Sequence, residues 1–179
     1  MAVPVFNIEK SLQAVLYVAE NLQRKDFHKI FKVLYFADRE HLAKYGRAIT
    51  GDTYIKMMNG PVPSNIYDIF KAVKGESFFA ADAVKYAEFF NVDGGFFIVP
   101  LQKANLDVLS ESDVEELRAS ISKYGDMSFG ELKRISHDLA WSSAPDDCPI
   151  KVEDILREAG QQEDYVSYLS DFYSSKTSC

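Results

Sequence analysis

Asp38 and His41 stand three residues apart in the run DFHKIFKVLYFADREHLAKY (residues 26–45). On a helix their side chains share a face, and a hydrogen-bonded carboxylate and imidazole are the parts from which general acid–base catalysis is built. No nucleophile accompanies them at a recognisable motif: the chain has no GxSxG, HExxH or Walker-type loop. The pair therefore reads as a structural pin between this helix and the glycine-rich segment after it. His28, His41, His137 and Cys148 show none of the paired spacings by which zinc ligands are recognised, so no metal and no cofactor is expected. Gly46, Gly51 and Gly60-Pro61 could cradle a phosphate, but they lack the preceding strand and the Lys-Ser/Thr pair of such loops. The glycines instead let the backbone take positive φ and pack closely. Helical patterns at about 111–124 and 129–139, joined by Gly125-Asp126-Met127, have helix-turn-helix form with Lys133, Arg134 and His137 as the available donors. A formal net charge of -7 argues against nucleic acid, whose binders show a basic stripe. Aromatic side chains are the last chemically informative group. Tyr35, Tyr54, Tyr67, Tyr86 and Phe78-Phe79 exceed what one helix can cover, and as a set they suit the anchors of a protein interface.

The elements that would position these residues follow from periodicity. Asn7 can cap a first helix with Ile8, Leu12, Val15, Leu16, Ala19 and Leu22 on one stripe. Asp26 caps a second helix that is apolar nearly all round, through Phe27, Ile30, Phe31, Leu34, Leu42 and Tyr45 with Val33, Phe36 and Ala37. Such a helix belongs at the centre of a domain, paired antiparallel with the first. Residues 48–58 read as a loop carrying a short strand around Tyr54, closed by the turn Asn59-Gly60-Pro61-Val62-Pro63. A helix then opens at Pro63 or Ser64, keeps its period through Ile66, Ile69, Phe70 and Val73, and stops at Gly75. VKYAEFF (84–90) and FFIVPLQ (96–102), flanking Asn91-Val92-Asp93-Gly94-Gly95, predict one β-hairpin lying on the helices. Ser110 with Asp113, and Ser128 with Glu131, have capping-box spacing and open the helices at 111–124 and 129–139. Trp141 to Pro149 is loop by composition. Short helices at 151–159 and 163–173 precede a polar tail over 174–179.

The 179 residues, 47% hydrophobic and 26% charged with 13 Phe and 10 Tyr, describe one soluble domain of α+β class, mostly helical. The N-terminal residues have no basic region or apolar run. No segment reaches the ~20 apolar residues of a membrane span, and two cysteines cannot build a disulfide framework. A cytoplasmic protein without membrane attachment is expected.

Lys32-Val33-Leu34-Tyr35-Phe36-Ala37-Asp38, then His41-Leu42, Tyr45-Gly46-Arg47, Ile49-Thr50-Gly51-Asp52, Tyr54, Gly60-Pro61-Val62 and Ile66-Tyr67 together resemble the signature of the Panacea domain, the SocA-like antitoxin family. The resemblance implies a core over about 7–141 and no enzymatic activity, which leaves the helical pattern over about 150–173 as a C-terminal extension. It also implies a partner: a cognate protein toxin that the domain binds and neutralises, or, in one branch of the family, delivers to an ATP-dependent protease. Autoregulation through DNA binding by helix 129–139 is the alternative from a different class. Lys56 departs from the family pattern, which more often has a small residue before the Gly-Pro, and so sets that part of the surface apart. The residues expected to serve the partner are Tyr35, Asp38, Arg39, His41, Tyr54, Lys56 and Tyr67. Oligomeric state is not legible from the sequence.

Overall fold

The computed structural model describes residues 5–76 and 80–176. It is α+β and predominantly helical, 59% of it helix, with two small antiparallel hairpins. Helices α1 (Ile8–Asn21) and α2 (Phe27–Tyr45) form the expected N-terminal hairpin. Their starts are fixed by side-chain caps, the carboxamide of Asn7 accepting from Lys10 N and the carboxylate of Asp26 from Lys29 N. Gly46, at φ 70°, closes α2 by donating its N–H to Leu42 O. This left-handed position is one that a residue with a side chain takes at a cost.

Helix α2 is central. Ile30, Phe31, Val33, Leu34, Phe36, Ala37 and Leu42 are all buried, and so lie on every side of the helix. The short strand expected at Tyr54 is β1 (Tyr54–Met57), and it pairs with β2 (Gly60–Pro63) across a tight turn at Met58 and Asn59. The outer edge of β1 is covered by the segment 147–150, through Lys56 N to Cys148 O at 2.9 Å and Ile150 N to Tyr54 O at 2.8 Å. Pro61 and Pro63 leave β2 with few donors, the condition under which an edge strand resists further pairing. Helix α3 (Ser64–Lys74) follows without a break.

The second hairpin corrects the sequence reading. Residues 84–86 belong to helix α4 (Ala80–Tyr86), and the strands are the shorter β3 (Phe90–Asp93) and β4 (Phe97–Pro100). Aromatic content suggested strand over 84–89, but the Ala-rich start of this segment favours helix. β4 also bonds to the α1–α2 connection through Ile98 N to Lys25 O, and the residue before it accepts from the start of α2, Phe27 N to Phe96 O, both at 2.9 Å. Beyond a single 3-10 turn (Leu106–Val108), α5 (Glu111–Tyr124) and α6 (Phe129–Ser136) open on the two capping boxes anticipated at Ser110 and Ser128. α6 ends earlier than its periodicity suggests. Asp138 caps a separate short helix, α7 (Leu139–Ser143), which runs from the expected end of that helix into the stretch from Trp141 that composition assigned to loop. Helices α8 (Val152–Glu158) and α9 (Glu163–Lys176) complete the described chain, and α9 runs three residues into the segment read as tail. Among the described residues, no helix is long and apolar enough to cross a membrane.

Candidate partner-binding surface

Polar side chains of α2 each fasten a different later segment to the core. Lys29 donates to Gly125 O at 2.6 Å and Met127 O at 2.5 Å, tying down the α5–α6 turn. Lys32, fully buried, donates to Pro61 O at 2.8 Å beneath the β1–β2 turn. Tyr35 donates to Asp138 at 2.8 Å, and Arg39 lies 3.4 Å from the same carboxylate. Asp38 accepts from Ile49 N (2.8 Å), Thr50 N (3.0 Å), the Thr50 hydroxyl and Tyr54 OH (2.8 Å). His41 spans Arg47 O (2.7 Å) and Asp113 (3.1 Å), with the Ser112 hydroxyl at 3.0 Å. One helix thus positions five of the segments that follow it: the 47–54 loop, the β1–β2 hairpin, the start of α5, the α5–α6 turn and the cap of α7.

The residues singled out from the sequence divide by depth. Tyr35, Asp38, His41 and Tyr54 are interior. Asp38 and His41 do not form the acid–base pair their spacing allowed: one faces the 49–54 loop and the other the start of α5. Both are occupied as pins, the structural role anticipated for them. Arg39, Lys56 and Tyr67 are partly exposed. Lys56 donates to Ala144 O at 2.9 Å, lies 3.2 Å from Asp146, and sits 4.6 Å from the centre of the Trp141 ring. Of the other aromatic candidates, Tyr86 is buried, while Phe78 and Phe79 lie outside the described residues. His137 is stacked flat on Trp141 at 3.7 Å, away from any role as an outward-facing donor. Among the described residues no group of three or more His, Cys, Asp or Glu is placed to hold a metal ion.

The concavity on this side of the molecule is lined by side chains that sequence reasoning passed over. A groove of about 390 Å³ runs between α2, the β1–β2 turn and α3, bounded by Phe27, His28, Phe31, Met57, Met58 and Tyr67. Tyr67 packs edge-on against Phe31 at 5.6 Å, and His28 stacks on Phe129 at 3.9 Å. Met58, at the tip of the turn, is 79% exposed, and Phe129 is 41% exposed. Unbranched thioethers beside aromatic rings make an apolar surface that adapts its shape to what lands on it. Two consecutive methionines immediately before Asn59-Gly60 were the available signal, since a turn carries apolar side chains outward.

Three ionisable groups show how α2 is held, two of them at the groove. Burial lowers the Lys32 ammonium to about 7. Burial, together with the positive charge of Lys32, lowers His28 to about 4, so its ring is neutral at pH 7 and its Nε2–H donates to Asn59 O at 3.2 Å. At the far end of α2 the balance is reversed. Burial opposes ionisation of Asp113, but hydrogen bonds from His41, Lys10 and Ser110 outweigh it and hold the carboxyl well below the usual range. Gly60, at φ 106°, lets the turn lie directly on Lys32; a Cβ there would come within 2.6 Å of Lys32 Cε and also meet Ser136 Oγ.

Fold and surface together define a helical α+β protein whose braced central helix presents an adaptable apolar groove, and whose Asp/His candidates are spent on structure. The family model of the antitoxin SocA-like Panacea domain matches residues 30–142, and the chain belongs to that family. The match runs from within α2 to α7, so it contains most of the groove and leaves α8 and α9 outside. No curated protein and no solved structure matches the chain.

Proposed function

We propose that this protein is an antitoxin that binds a cognate protein toxin directly and neutralises it by covering the surface the toxin uses. The observation that carries the reading is membership of the SocA-like antitoxin family over residues 30–142. The groove at the β1–β2 turn is the contact site in this reading. Met57, Met58 and Phe129 supply the apolar anchors that dominate interface energies, with Tyr67 and Lys56 at the margin. Tyr35, Asp38, His41 and Tyr54 serve from inside, and Arg39 with them, by fixing the segments that carry the anchors. Such preorganisation lowers the ordering cost of association. The acidic surface, net charge -7, favours rapid encounter with a basic toxin.

The test is genetic. The product of the adjacent reading frame should arrest growth when expressed alone and be harmless when co-expressed with this protein. Arrest that persists at matched expression of both proteins would count decisively against the reading.

A further inference from the structure

The last helix, outside the family match, carries a second partly exposed aromatic surface. Its inner face holds it in place: Val166, Leu169 and Tyr173 are buried, and the Tyr173 hydroxyl donates to Gly46 O at 2.6 Å. A Cβ at Gly46 would lie 3.2 Å from Leu169, so α9 sits close against the C-terminal cap of α2. On the opposite face Tyr168 is 64% exposed and Phe172, one turn on, 41% exposed, its ring also meeting that of Tyr173 at 5.6 Å. Asp164 and Asp171 are exposed on the same side, since 164, 168, 171 and 172 fall on one stripe at helical spacing. Residues 150–179 carry six carboxylates against three basic side chains. Arg157 pairs with Asp154 at 3.0 Å and Glu163 at 2.6 Å, which leaves four carboxylates, Asp164 and Asp171 among them, against Lys151 and Lys176.

We propose that the outer face of α9 is a docking surface for a basic, amphipathic segment of a partner protein. Arginine or lysine would lie over the Tyr168 and Phe172 rings while pairing with Asp164 and Asp171, and an apolar side chain between them would cover the aromatic edges. The charge distribution selects this occupant. A second copy of the chain would set carboxylates against carboxylates, and a nucleic acid or an anionic lipid surface would be repelled by the same groups. The surface stands apart from the groove and holds whether or not the partner is a toxin.

The probe is a fluorescein-labelled amphipathic helical peptide with arginine and leucine on one face, titrated with the full chain by fluorescence anisotropy. Saturable binding is expected, weakened about tenfold or more in Tyr168→Ala/Phe172→Ala and in Asp164→Asn/Asp171→Asn. The charge-matched control Glu88→Gln/Asp107→Asn should bind as the wild type does. Circular dichroism melting identifies any variant that fails to fold, and the single substitution Tyr168→Ser then replaces it. Undiminished binding by the aromatic variant overturns the proposal. So does an equal loss in the charge-matched control, which would reduce the effect to the general attraction of an acidic protein for a cationic peptide. Concentration-dependent self-association that disappears in the aromatic variant also overturns it, by naming a second copy as the occupant.

Discussion

Replacing Lys32 by methionine should stabilise the protein at neutral pH, although it deletes a hydrogen bond from the core. Folding takes the amine from its ordinary value of 10.5 to about 7 by burial alone. In the pH range between those values the unfolded chain holds a proton on Lys32 that the folded chain has released. Wild-type stability therefore rises as pH increases from about 7 towards 10.5, and below about 7 the full penalty is in force. At ~1.4 kcal/mol per tenfold, the penalty is on the order of 4 kcal/mol at pH 7. Methionine has nearly the same length, keeps the stem packed under Gly60 and carries no charge. Its cost is the bond to Pro61 O, about 1–3 kcal/mol if that carbonyl is left unpaired. The net expectation is about 1–3 kcal/mol of added stability at pH 7, vanishing or reversing near pH 10. Urea unfolding of both proteins between pH 6.5 and 10 measures it, with the difference between the two curves removing every other titrating group. A variant less stable at pH 7, with a difference that does not change with pH, would refute the burial argument.

Other consequences concern the same framework. Gly60→Ala should cost about 2–4 kcal/mol in chemical denaturation, because its left-handed φ and the contacts with Lys32 and Ser136 both resist a Cβ. Stability within 0.5 kcal/mol (about experimental error) of wild type would mean that the turn is not seated on Lys32. Asp38→Ala strands the donors of Ile49, Thr50 and Tyr54 and should cost more than about 4 kcal/mol, detected as a lowered melting temperature; a loss under ~1 kcal/mol would show that the 49–54 loop is held by something else. His28, lowered to about 4, binds no proton in the folded state until well below its ordinary 6.5. Stability should therefore fall as pH drops from 6.5 towards 4, by on the order of 1–2 kcal/mol once solvent screening of this half-buried ring is allowed for, and His28→Gln should remove that part of the acid profile.

The skeleton of this fold was open to reading because it is written in local chemistry. Asn7, Asp26, Ser110 and Ser128 cap helices through neighbours three residues away, and Gly46 and Gly75 end them. What escaped depends on residues distant in the chain. Tyr35 and Tyr54 are covered because Asp138 and Asp38 receive their hydroxyls, and no local pattern encodes those partners. The burial of Lys32 contradicts every expectation for a lysine and is resolved only by the proline-rich strand that crosses it. That strand was itself hidden, since Pro61 and Pro63 argue against sheet until an edge position is known. Groove residues were missed for a related reason: Met57 and Met58 look like core in composition and face outward because of the turn between β1 and β2.

The most direct measurement is the affinity of the purified toxin, the product of the adjacent reading frame, for the wild-type protein and for Met58→Glu. Met58 is 79% exposed, so the variant should melt with the wild type. A buried charge at the centre of the contact should then weaken the complex by at least tenfold, and growth protection should fail with it. Equal affinity for both proteins, at equal stability, would place the toxin elsewhere and contradict the account.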